Sequence, residues 1–77
     1  MEKITKKRLK LLASSSSLEN MINLINSDLY WNVLNVEISN KHQYQKYDVF
    51  TLYNSKGEIN NMIVINEKGR YKLYNIL

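Results

Sequence analysis

The run KITKKRLKLLA, Lys3 to Ala13, governs the architecture expected of this chain. Placed on a helix at about 100° per residue, Lys3, Lys6, Lys7 and Lys10 gather within roughly 100° of one another, while Ile4, Leu9, Leu11 and Leu12 cover the broad opposite face. The spacing predicts a basic amphipathic helix over residues 1–13. Arg8 falls inside the apolar arc, where it has to snorkel or find an acid. Lysines in a first turn also oppose the helix dipole, at a cost of about 0.3–1 kcal/mol each when exposed.

Working outward, the serine run Ser14 to Ser17 supplies a start signal for a second helix. Ser16 and Glu19 have the spacing of a capping box, in which each side chain satisfies the other's orphan backbone N–H. Leu18, Met21, Ile22, Ile25 and Leu29 then make a narrow apolar stripe, which predicts a helix over residues 16–29. After Asp28 the period becomes two. Leu34, Val36 and Ile38 alternate with polar residues, as do segments within Tyr44 to Tyr53, Ile59 to Ile65 and Arg70 to Ile76. Asn54-Ser55-Lys56-Gly57 and Asn66-Glu67-Lys68-Gly69 read as hairpin turns.

The expected fold class is therefore α+β: two N-terminal helices packed on a four-stranded antiparallel β-meander, one small domain over residues 1–77 with the sheet in residues 30–77. The alternative is a winged helix, because the end of the chain, INEKGRYKLYNIL, resembles a wing strand running into a turn and a last helix. Residues 28–37 then become a recognition helix, against the poor helix propensity of Val33, Val36 and Ile38.

At 77 residues the chain can build one modest core. With no cysteine, disulfide scaffolds and Cys-based zinc sites are excluded. No apolar run is long enough to span a bilayer, and no apolar signal-peptide core follows the basic N-terminus, so a cytoplasmic location is expected. The net charge of +4 can be assigned wholly to residues 1–13, where five basic side chains face Glu2 alone, since the remainder balances. So local a positive field favours nucleic-acid phosphate, anionic lipid or an acidic protein surface. Eleven Asn, nine Lys, eight Ile and six Tyr against two Arg are residues with AT-rich codons, which points to an AT-rich genome such as that of a low-GC bacterium or its phage.

Catalytic chemistry finds little footing in the residues. The one histidine, His42, lies in a polar turn, with Ser39 and Asp48 near in sequence but no nucleophile-elbow motif around them. Glu37 and Asp48 could be paired carboxylates, yet two-carboxylate chemistry needs a cleft that a chain this short can hardly build. Acids and histidine show no ligand spacing, and Gly57 and Gly69 stand alone, so no metal, phosphate loop or other cofactor is expected. The expected protein is not an enzyme.

Two binding functions remain. The first is a nucleic-acid-associated accessory or regulatory protein of a phage or mobile element, with Lys3, Lys6, Lys7, Arg8 and Lys10 as phosphate contacts. The second is a protein-binding inhibitor or adaptor, for example an anti-defence protein, acting through an exposed sheet face or edge. Its expected interface is Trp31, Tyr44, Tyr47, Tyr53, Tyr71 and Tyr74, which could also offer stacking faces to single strands. The bland readings are a merely solvated lysine stripe and tyrosines engaged in cross-strand packing. Strands apolar on both faces, with one helix layer to cover them, imply a homodimer or a partner.

Overall fold

In the computed structural model, which describes residues 1–77, the stretch Lys3–Ala13 is not an α-helix. It forms a short strand β1 (Glu2–Lys3), a 3-10 turn (Lys6–Arg8) and a long strand β2 (Leu9–Ser15). The expectation of two N-terminal helices is thereby corrected, and the physical reasons are local. A helix here has no side-chain cap and sets its lysines against its own dipole. As a strand, Leu9–Ser15 instead places its backbone groups on the antiparallel ladder of the last strand, from Leu9 opposite Ile76 to Ser15 opposite Tyr71.

The one helix lies where the serine run places it. Strand β2 leads into α1, seven α-helical residues (Leu18–Leu24) extended by a five-residue π-helical turn (Ile25–Leu29). Its cap is Ser17, one residue beyond the serine of the expected capping box. The Ser17 hydroxyl accepts the Asn20 N–H at 3.1 Å, and Glu19 makes no reciprocal bond. The helix ends at Tyr30, whose backbone is left-handed (φ 57°).

The rest of the chain is sheet: β3 (Asn35–Ile38), β4 (His42–Gln43), β5 (Asp48–Asn54), β6 (Gly57–Glu67) and β7 (Arg70–Ile76). Five strands form one antiparallel sheet in the order β2-β7-β6-β5-β3. The expected four-stranded meander is corrected as well: β3, β5, β6 and β7 are neighbours in that order, but the N-terminal run adds a fifth strand beside β7 and the sheet has five strands. β1 and β4 make a separate parallel pair, Glu2 opposite His42 and Lys3 opposite Gln43. The winged-helix alternative fails at both of its helices, because Asn35–Ile38 and Arg70–Ile76 are strands. At the β6–β7 turn, Lys68 and Gly69 both have positive φ (56° and 86°), as a type I′ hairpin requires. The Asn66 side chain there accepts the Gly69 N–H at 2.9 Å.

Both faces of the sheet are covered. On one, Met21 and Ile25 of the helix pack with Val33, Leu52, Val64 and Leu73. On the other, Ile4 and Tyr44 pack with Val49, Ile63 and Ile65. Alternation along β5 and β6 sends neighbouring apolar residues to opposite cores, which is why those strands are apolar on both sides. The molecule has three layers: helix, sheet, and a cover made of the N-terminal arm and the loop that carries β4. No helix is long and apolar enough to cross a membrane.

Candidate nucleic-acid interface

The basic residues sit on an arm fixed at both ends. Glu2 N–H donates to the Lys41 carbonyl (2.7 Å) and Ile4 N–H to the Gln43 carbonyl (2.8 Å), while the Ile4 side chain is buried against the sheet. At the other end, Leu9 lies opposite Ile76, and Leu77 N–H donates to the Arg8 carbonyl at 2.7 Å. Between these anchors the 3-10 turn is closed by Arg8 N–H on the Thr5 carbonyl (3.0 Å). The arm is apolar where Ile4 and Leu9 face the core and exposed wherever a lysine stands.

Lys3, Lys6, Lys7 and Lys10 are all exposed, and none takes part in an ion pair. Arg8 differs from them. Its guanidinium meets Glu2 at 3.0 Å, with both side chains half or more exposed, a pair of small energetic value that leaves the four lysines as the arm's free positive charge; Lys46, Lys56 and Lys68, elsewhere on the chain, are also exposed and in no ion pair. Lys41 and Lys72 are likewise paired, with Glu58 (3.0 Å) and Glu67 (2.9 Å). Chain length bounds Lys3 and Lys10 to within about 25 Å of each other, a span that covers several phosphates of a nucleic-acid strand.

The aromatic set is divided between the two cores. Tyr44 is buried and stacks on Tyr47, with ring centroids 6.2 Å apart. Tyr74 packs beside them and donates its hydroxyl to Glu67 Oε2 at 3.0 Å. Burial and the adjacent Glu67 carboxylate push the Tyr74 hydroxyl up to about 12. Tyr71 and Trp31 belong to the helix-side core, Tyr71 tilted against Phe50 at 6.2 Å. Tyr53 is half-buried in β5, opposite Asn35 and Glu58. These six side chains do not share one surface.

What is exposed lies elsewhere. Leu34 (71% exposed) and Ile38 (67%) flank and end the edge strand β3, Tyr30 (80%) follows the helix, and Leu11 and Leu12 lie exposed on the opposite edge β2; none of them is among the interface residues expected from the sequence. The alternation Leu34-Val36-Ile38 reads as a buried strand face, and nothing in it shows that β3 lies at an edge.

Ser39, His42 and Asp48 border one open cavity of about 240 Å³. The buried Ser39 hydroxyl accepts the backbone N–H groups of Lys41 (3.2 Å) and His42 (3.0 Å), and no side-chain hydrogen bond joins it to the imidazole. His42 Nδ1 is buried and has no hydrogen-bond partner. A second cleft of about 220 Å³ lies between Tyr30–Asn32 and the Asn54–Lys56 turn. No three His, Cys, Asp or Glu side chains are grouped to hold a metal ion. Comparison with protein-family models, with curated proteins and with solved structures finds no match for this chain.

Proposed function

We propose that this protein is a small accessory protein that holds the phosphate backbone of nucleic acid on its N-terminal arm. The observation that carries the reading is the state of Lys3, Lys6, Lys7 and Lys10. All four are exposed and free of ion pairs, on a segment whose backbone is tied at both ends, so little backbone ordering entropy stands against binding. Lysines act as point charges on phosphate and not as readers of base edges, and the expected binding is insensitive to sequence. Arg8, held by Glu2, is the weakest of the five contacts.

The test is fluorescence anisotropy with labelled single- and double-stranded DNA and RNA at about 50 and 200 mM salt. Four phosphate contacts on duplex DNA give a log–log salt slope near −3.6, a loss of roughly 100-fold across that range. Lys6→Glu with Lys10→Glu is expected to abolish binding. Absence of binding at the lower salt overturns the proposal and moves the arm's partner to an acidic protein surface. Binding that survives the double substitution overturns the assignment of these lysines.

A further inference from the structure

The two edges of the five-stranded sheet are unlike. β2 also exposes apolar side chains, Leu11 (52%) and Leu12 (39%), but it carries the exposed Lys10 and a bulge between Leu11 and Ala13, and it continues from the basic arm. Bulges and lysines are the features that discourage an edge from pairing with another chain. β3 has neither. Its only charge is Glu37, and the apolar side chains of Leu34 and Ile38 flank it in the open.

The backbone of β3 is also set to pair. Ser39 N–H donates to the Val49 carbonyl at 2.7 Å, in register with Ile38 opposite Phe50. In an antiparallel ladder alternate residues turn their N–H and C=O groups to opposite sides, so Val36 and Ile38 turn theirs away from β5, whereas the Leu34 N–H is already given to the Tyr53 carbonyl at 2.8 Å and only the carbonyl of Leu34 is left for a second strand.

We propose that β3 pairs antiparallel with β3 of a second copy of this chain, on a two-fold axis through Val36, making one ten-stranded sheet. This register sets Leu34 opposite the other copy's Ile38 and the two Val36 opposite each other. Glu37 then faces Asn35. A shift of two residues in the pairing sum, to centre on Glu37, sets two carboxylates against each other and leaves Leu34 unmatched, and like charges directly opposite destabilise a sheet. Charge favours this edge over β2 as well. With strands about 4.8 Å apart, the two β2 strands end up roughly 43 Å from each other, far beyond the screening length of about 8 Å at physiological salt. Pairing through β2 brings the two basic arms together. An edge of four residues buries less than the ~1,600 Å² of a standard interface, so the dimer is concentration-dependent.

The inference is independent of the nucleic-acid reading and is tested without any ligand. Sedimentation equilibrium from about 5 to 500 µM is expected to show mass rising from 9.1 kDa toward twice that value. Leu34→Lys with Ile38→Lys, both at exposed positions, is expected to weaken the dimer by roughly 100-fold or more. The chain has no cysteine of its own, so introduced thiols report the register directly. Leu34→Cys with Ile38→Cys is expected to give a disulfide-linked dimer on oxidation. Ile38→Cys alone should give none, because in this register the two Ile38 lie about four residues apart along the strands. A monomer at the highest concentration, or a dimer indifferent to the lysine substitutions, overturns the interface. Cross-linking of the single-cysteine variant overturns the register.

Discussion

Tyr74 is the residue whose surroundings make a measurable prediction without any knowledge of partners. Its hydroxyl donates to Glu67 Oε2, and Lys72 Nζ reaches the same oxygen at 2.9 Å. The folded protein holds the phenolic proton up to about 12, against about 10 in an unfolded chain. Tyr74 therefore contributes stability that is fully present below about pH 10 and is lost as the pH climbs through 12. Thermal melts from about pH 9 to 12 are expected to fall more steeply for the native sequence than for Tyr74→Phe; parallel curves refute the assignment. Ser39 makes a second residue-scale case. It is buried, and its hydroxyl satisfies two backbone N–H groups of the turn that carries β4. Ser39→Ala leaves both without that acceptor and is expected to cost about 1–3 kcal/mol in urea unfolding.

At the scale of elements, the N-terminal arm separates anchoring from display. Ile4 is 6% exposed and belongs to the second core, so Ile4→Ala is expected to destabilise by about 2–4 kcal/mol. Lys6→Glu with Lys10→Glu touches only exposed side chains and is expected to leave the melting temperature nearly unchanged, which keeps its effect on binding interpretable. The same arm marks the limit of what the sequence made legible. The α1 helix and the β5–β6 and β6–β7 hairpins could be read, because a serine cap, an apolar stripe and the Asn-x-x-Gly turns are local signals. Lys3–Ala13 could not. Its apolar residues fit a helical face, whereas its strand identity comes from β7, nearly the whole chain away in sequence. The pairing of His42 with Glu2 was equally hidden, since two-residue strands leave no period to detect. The charge of the arm was legible. Its freedom from ion pairs, and the burial of the tyrosines in two different cores, depended on which segments covered which face.

For the whole molecule, the two cores share the middle strands and should not melt separately. Leu52→Ala removes packing on the helix side and Ile65→Ala on the arm side, each at a fully buried position. Both are expected to cost about 2–5 kcal/mol and to shift a single unfolding transition without splitting it, as followed by tryptophan fluorescence and circular dichroism together. Two resolved transitions in either variant refute the shared core. The strand order carries a further consequence for how the protein is made. β2 is the first long strand to be synthesised and β7 the last, yet each is the other's neighbour in the sheet. During translation β2 must stay without a partner while β3, β5 and β6 emerge and pair. The β2 edge closes only once β7 has emerged, so the β2–β7 seam is the last part of the sheet to form, and until then β2 waits with its leucines bare beside Lys6, Lys7 and its own Lys10.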